Sequence, residues 1–319
     1  MKIKKIIKKI TPKFLLYFYY WLWAFLGAVM FGFPSRRITV IGVTGTSGKS
    51  TTVDFIERIL EEAGNNVASI SSIKFKIGQN LWKNELKMTM PGRFRIQKFL
   101  SQAVKEKCKY VVLEITSEGI KQYRHKFINF DTAVFTNLSP EHIESHGGFE
   151  NYRAEKVKLF HATKGTHIIN ADDENSKYFL NIPAKKTITF GIKRPADMMA
   201  KNVEGLSFSI NETQIDLNLL GNFNVYNALS AIAVAENYGV STEICKKALE
   251  KATGVQGRME VVAKEPFLVV VDYAHTPEQL EQAYKSLGKK KLVCVLGSCG
   301  GGRDKWKRPV LGKIAGQYC

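Results

Sequence analysis

A chain of 319 residues with 45% apolar content can bury the cores of two domains, which excludes a disordered or fibrous protein. Its five cysteines form no CxxC pair, which excludes a disulfide framework or a cysteine-held zinc and reads as reduced thiols, with Cys294 a small buried side chain in an apolar run. The net charge of +18 would suit nucleic acid, but six lysines crowd into the first thirteen residues and the others are scattered without interleaved aromatics. Nucleic acid is therefore set aside, and phosphate-rich ligands or an anionic membrane surface account for the charge.

Lys2, Lys4, Lys5, Lys8, Lys9 and Lys13 open the chain with no acid among them, and residues 14–33 carry no charge at all. That apolar run is long enough to span a bilayer. Aromatics dominate its first half, however, and these suit the headgroup layer better than the hydrocarbon centre. No small-residue cleavage site precedes Pro34, so it does not read as a signal peptide.

Next comes Ile-Thr-Val-Ile-Gly-Val-Thr-Gly-Thr-Ser-Gly-Lys-Ser-Thr-Thr over 38–52. The β-branched start predicts a buried parallel strand, and the end opens a helix. Gly45, Thr46, Ser47, Gly48, Lys49, Ser50 and Thr51 between them form a phosphate loop. Glycine lets backbone N–H groups close on phosphate oxygens, Lys49 adds a charge, and the Ser50 hydroxyl can hold Mg²⁺. Val43 stands where the usual motif has its first glycine. With the lysines favouring a cytoplasmic N-terminus, a single span would strand this loop outside, away from ATP. A helix lying on the inner membrane surface through residues 1–33 is preferred, with burial against the domain or a true span as alternatives.

Strands and helices then alternate: a helix over 51–63 ended by Gly64, strands at 67–70, 110–115 and 132–135, and a helix over 94–106 after the Met-Thr-Met-Pro-Gly loop. Residues 196–219 read as a β excursion, and 224–238 and 241–252 as helices. After Arg258 a new unit begins, with strands at 267–271 and 291–296 flanking a helix at 277–287, a glycine-rich loop at 297–303 and a helix from about Pro309. Such a short unit cannot bury a core alone, so it reads as incomplete. The expected domains are 1–35, 36–258 and 259–319. The expected class is α/β, with a mostly parallel sheet flanked by helices followed by the start of a second, Rossmann-like unit.

Glu114 ends a buried strand facing the phosphate loop, a suitable place for a hard-cation ligand. Asn137 and His142 lie past the end of the next strand, and Tyr152 and Lys156 share a helix face at i, i+4.

GVTGTSGKSTT (42–52), LEITSEG (113–119), FTNLSPEHIESHGGFENYRAEK (135–156), GNFNVYNALSA (221–231), GRMEVV (257–262), VDYAHTP (271–277) and GSCGGGRDKWKRP (297–309) follow in order. Together they resemble the Mur ligase family, and most of all its MurE branch of UDP-N-acetylmuramoyl-dipeptide:amino-acid ligases. The resemblance implies a cytoplasmic, monomeric ATP-dependent ligase. Such an enzyme phosphorylates a carboxylate of an anionic muramoyl-peptide-like substrate and lets an amino acid displace the phosphate, with two Mg²⁺ ions. It also implies that Lys49 meets the β/γ-phosphates, that Ser50, Glu114 and His142 serve the metal, and that Lys156 carries a carbamate. Adenine and ribose fall to Asn224, Asn227, Arg258, Asp272 and His275, and the peptide substrate to Thr89, Thr116, Gln122 and Arg124.

Departures from the family pattern bear on the substrate. Thr116-Ser117-Glu118 stands where a Ser-Ser-His is usual, Glu141 replaces an aspartate, and Met90 a threonine. Only 35 residues precede the core where the branch has a UDP-holding domain, and the amine-selecting domain breaks off. A sibling ligase acting on a polyglutamate, cyanophycin or lipid-linked precursor, and a membrane-associated P-loop ATPase switch, are the competing readings.

Overall fold

The computed structural model describes residues 11–86, 88–288, 291–297 and 304–319. The lysines at 2–9 and residues 298–303 of the glycine-rich loop lie outside the described residues.

A nine-stranded sheet organises the molecule. Its strands are β1 (Thr39–Thr44), β2 (Val67–Ile70), β3 (Lys74–Ile77), β4 (Asn80–Lys83), β5 (Tyr110–Glu114), β6 (Phe130–Phe135), β7 (Thr163–Asn170), β8 (Lys186–Gly191) and β9 (Met198–Met199). The spatial order is β4-β3-β2-β5-β1-β6-β7-β8-β9. Only the β2–β3 and β3–β4 pairs are antiparallel. The central strands are apolar because both faces are covered. One face packs on α2 (Lys49–Glu62), α8 (Asn224–Asn237) and α9 (Thr242–Glu250); the other packs on α3 (Arg93–Lys105) and α6 (Phe149–Ala162). Adjacent residues of β1 serve opposite layers: Ile41 and Val43 join the first core, and Val40 the second. Register then fixes the chemistry: Val43 pairs with Glu114 and Thr44 with Phe135, so the loop after β1 sits between the ends of β5 and β6.

The expected β excursion is a separate three-stranded sheet, β10 (Lys201–Glu204), β11 (Ser207–Ile210) and β12 (Thr213–Asp216). Short helices α4 (Ser117–Lys121), α5 (Ile143–His146) and α7 (Lys177–Leu180) ride the rim of the main sheet. The last unit holds an antiparallel pair, β13 (Glu260–Ala263) with β14 (Val269–Val271), and α10 (Pro277–Ser286) against α11 (Lys307–Tyr318). The strand expected at 291–296 does not form. Residues 291–297 have no ladder partner among the described residues, and Val293 and Val295 stand in solvent. Cys294, expected to be buried, is only half-buried for the same reason.

The apolar N-terminal run is α1 (Lys13–Met30). Tyr20, Ala24, Gly27 and Ala28 form one helical stripe and are its buried residues. Small residues let the helix lie close: a Cβ on Gly27 would stand 3.2 Å from the Phe94 Cα at the start of α3. Aromatic pairs secure the edges, with Tyr17 stacked on Tyr123 and Trp21 and Phe25 meeting Phe127. The opposite face, including Phe14, Phe18, Tyr19, Trp23 and Met30, is exposed.

Candidate active site

The loop between β1 and α2 is held open by its neighbours. Gly45 has φ +155°, and a Cβ there would stand 1.9 Å from Thr136 Oγ1; Gly48 has φ +78°, with Asn227 Oδ1 at 2.2 Å from a Cβ. Both positions therefore require glycine. Asn137, just past β6, accepts from Ser47 N at 2.9 Å, and its carbonyl accepts from Thr46 N. The first N–H groups of α2 have no acceptor within the helix and face the space above the loop.

Lys49 Nζ donates to the Thr46 carbonyl at 2.7 Å. Burial pushes its pKa down against the pull of Glu114 and Glu141, and Arg258 adds to the depression. No carboxylate lies within salt-bridge distance of Lys49 among the described residues. A desolvated lysine beside an uncapped helix start fits a polyanion.

Ser50 Oγ donates to Glu114 Oε2 at 2.9 Å, and the same oxygen accepts from Ser72 N at 2.8 Å. This hydroxyl–carboxylate pair suits a hard cation that shares phosphate oxygens and keeps its waters. His142 is turned elsewhere. It has a left-handed backbone (φ +54°), and its ring lies 3.5 Å from Glu141 and 3.7 Å from Asp304. Among the described residues no group of three His, Cys, Asp or Glu side chains is arranged to hold a metal by itself.

Lys156 is buried and donates to the Gly45 carbonyl at 2.6 Å, with its ammonium over the Tyr152 ring at 4.7 Å. Tyr152 in turn meets Thr46 Oγ1 at 3.0 Å. Burial first, and then the charge of Lys49, hold the Lys156 pKa well below the usual lysine range.

Above the loop opens a cavity of about 520 Å³. Ser47, Gly48, Ser50, Thr51, Asn224 and Asn227 line one side, and Arg258 and Asp272 the other. Asn227 Nδ2 donates to Asn224 Oδ1 at 2.8 Å, so the two amides act as a pair behind Gly48. Asp272 accepts from Met259 N and Ala274 N, which shapes the turn that presents Arg258. His275 is displaced from the cavity wall and contacts Glu141 instead.

This order of elements around a phosphate loop has a match among families. The description "Mur ligase middle domain" fits residues 43–235, and "Mur ligase, glutamate ligase domain" fits 257–319. The chain belongs to the Mur ligase family. Similar relatives include the UDP-N-acetylmuramoyl-L-alanyl-D-glutamate–2,6-diaminopimelate ligase of Syntrophomonas wolfei, 39% identical over 92% of this chain and 63% of that protein. The UDP-N-acetylmuramyl-tripeptide synthetase of a Roseiflexus species is 36% identical over the same shares. A solved structure of a UDP-N-acetylmuramoyl-L-alanyl-D-glutamate–2,6-diaminopimelate ligase superimposes with a TM-score of 0.70 at 30% identity, covering 88% of this chain and 60% of that one. The chain thus spans somewhat under two thirds of the relatives it matches.

Four further residues carry the Mur ligase substrate expectation. Thr116 caps α4, accepting from Gly119 N at 3.1 Å. Arg124 donates to Gln122 Oε1 at 2.9 Å and to the Met90 carbonyl, which ties both to the loop holding half-buried Thr89. Sequence reading passed over His146. Its Nε2 lies 3.1 Å from Ser117 Oγ and 3.8 Å from Glu118, so an imidazole from α5 reaches the segment that lacks the usual histidine. Asn170 and Asp172, which also line the cavity, were missed too. The signal was there: polar Asn-Ala-Asp-Asp closes the apolar end of β7.

Proposed function

We propose that this protein is an ATP-dependent carbon–nitrogen ligase that joins an amino acid to a muramoyl-peptide acid in the cytoplasm, with 36–258 as its nucleotide domain and 259–319 belonging to a following ligase domain. The observation that carries the reading is Lys156, buried against the Gly45 carbonyl of the phosphate loop. A hydrolytic switch has no use for a second desolvated lysine there.

In this reading the substrate carboxylate oxygen attacks the γ-phosphorus of ATP and ADP leaves. The amine then attacks the acyl carbon, phosphate departs, and the amine gives up a proton as the amide forms. Lys49 swings from the Thr46 carbonyl to the phosphates, and the α2 N-terminus neutralises the transferring charge. Ser50 and Glu114 would hold Mg²⁺, which supplies charge screening between two anions. Lys156, whose pKa burial lowers, is the amine that would take up CO₂, and the carbamate would join Glu114 and His142 as an oxygen ligand to the metal. Asn224, Asn227, Arg258 and Asp272 hold the adenosine end, with His275 behind them on Glu141. Thr89, Thr116, Gln122 and Arg124 hold the acid.

The exposed aromatic face of α1, next to Lys13, supports docking on the inner membrane surface. Its inward stripe is occupied by α3, which argues against a span.

Phosphate release from ATP tests the ligase reading. A ligase releases phosphate only when both the acid and an amine are supplied. Release at the same rate without either would leave the switch as the better account.

A further inference from the structure

Beneath α1 lie two arginines without a salt bridge among the described residues, Glu118 acting on Arg124 only from longer range. Arg93 opens α3, and its guanidinium stacks over the Tyr20 ring at 3.9 Å. Arg124 comes up from below and is fixed by Gln122 and the Met90 carbonyl. Arg93 Nε and Nη2 and Arg124 Nε are shielded from water and have no acceptor among the described residues. Neither guanidinium has a carboxylate within salt-bridge distance there. Buried guanidinium groups are ordinarily paired, and two near each other with unused donors mark the place of an anion.

We propose that Arg93 and Arg124 together form an anion subsite, roofed by α1, that grips a carboxylate or phosphate of the acid substrate. The proposal rests on the ligase reading and deepens it. Arg124 was expected there from the family pattern; Arg93, the role of α1 as a wall of the subsite, and the pairing of the two arginines are new. Burial and the neighbouring Arg124 push Arg93 down to about 10, against the opposing pull of Tyr20 and Tyr19 and a hydrogen bond to Tyr20. A bound anion relieves both effects. Placed three residues after Met90, on the segment that carries Thr89, Arg93 joins the substrate loop to α1.

The test is calorimetric titration of the full chain with UDP-N-acetylmuramoyl-L-alanyl-D-glutamate, and with the same muramoyl dipeptide lacking UDP. Arg93→Gln should weaken binding at least tenfold and Arg93→Lys less, while the affinity for ADP stays within twofold. If the weakening persists without UDP, the anion is a peptide carboxylate; if binding and its Arg93 dependence both vanish without UDP, it is the pyrophosphate. Either result supports the subsite.

A merely structural clamp on α1 makes the opposite prediction for stability. Removing an unpaired buried charge in Arg93→Met should leave the melting temperature unchanged or raise it, whereas a clamp would lower it. Tyr20→Leu, which takes the ring off the Arg93 guanidinium but leaves the charge, should weaken binding by less than Arg93→Gln does. Wild-type affinity in Arg93→Gln, a lowered melting temperature in Arg93→Met, or no binding of either probe by the wild-type chain would overturn the subsite. The ligase reading fails separately, through amine-independent phosphate release by a protein that does bind the acid.

Discussion

At the scale of single residues, the two lysines at the phosphate loop make opposite uses of the same environment. Lys49 is desolvated and turned back on its own loop, so its charge is a cost until phosphate arrives. Lys49→Ala should therefore melt no lower than the wild type while losing about 2 kcal/mol or more of nucleotide affinity, the scale of a charge-assisted hydrogen bond. Thermal melts and ADP titration read the two effects, and tight ADP binding by the variant would remove Lys49 from the phosphate site. Lys156 sits where burial favours the free amine, the form that reacts with CO₂. Intact mass under CO₂ should show the adduct, and Lys156→Ala should lose ligation and recover part of it with added acetate. An active enzyme with a free Lys156 amine would refute the carbamate. His125 is a structural counterpart: burial pushes it down to about 3, its Nδ1 has no partner among the described residues, and Lys126 and Lys158 oppose its charge. The unfolded chain binds a proton at about 6.5 that the folded chain refuses, so this group removes stability as pH falls from about 6.5 toward 3. Urea midpoints from pH 7 to 5 should fall less steeply in His125→Gln than in the wild type; parallel slopes would mean the imidazole is not held neutral.

At the scale of elements, α1 is decided by its two faces. The small inward stripe lets it lie on α3, and the outer face leaves Phe14, Phe18 and Met30 in solvent. On the proposed membrane reading, seating those side chains in a headgroup layer, with each nearby lysine adding about 1 kcal/mol on anionic lipid, would give a reversible association. Flotation with anionic vesicles should capture the wild type, fall with salt, and be lost in a Phe14→Ser, Phe18→Ser, Met30→Ser variant. Retention after alkaline carbonate would point to a span instead. The residues of this helix were legible as apolar and aromatic, but one sequence cannot say what covers which side. The same limit runs through the fold. Long patterned pieces such as β1, α2 and α8 were readable because strand burial and helical periodicity are local. The β3–β4 hairpin was missed because Lys74 and Lys76 look solvated in sequence. In space they meet Asp54, Glu57 and Glu61 of α2, a pairing across some twenty residues that no local pattern announces. The phosphate loop, Glu114 and Lys156 were visible as motifs. The turn of His142 toward Glu141 and Asp304, and the entry of His146, depend on how α5 lies and were not.

At the scale of the whole molecule, the cavity above the phosphate loop, the proposed nucleotide site, has walls from both sides of the Arg258 turn, so its shape depends on how the last unit docks. Among the described residues, two hydrogen-bonded latches hold that contact. Glu141 is nearly enclosed and meets His275 across the interface; burial would raise its pKa, but the His275 hydrogen bond and the charges of His142, His275 and Lys49 outweigh this and hold it well below the usual carboxylate range. Glu144 receives the backbone N–H groups of Asp304 at 2.7 Å and Lys305 at 3.1 Å, while Asp304 Oδ1 accepts from Glu144 N at 3.3 Å. A depressed carboxylate contributes stability that is present above its unfolded pKa and lost only as pH falls through the folded one. The Glu141 latch should thus outlast ordinary surface pairs on mild acidification. The Glu144 latch involves backbone donors and can be cut without disturbing the loop chemistry. Glu144→Ala should cost about 1 kcal/mol of docking, near fivefold in ADP affinity. It should also expose residues 252–258 to protease in the free protein, with saturating ADP restoring protection. The melting of the central sheet should not change, because no core residue of either layer is touched. Increased cleavage with unaltered ADP affinity would show that the two units dock independently of the nucleotide. Unaltered cleavage and affinity together would remove Glu144 from the latch and leave Glu141 with His275 to hold the cavity closed.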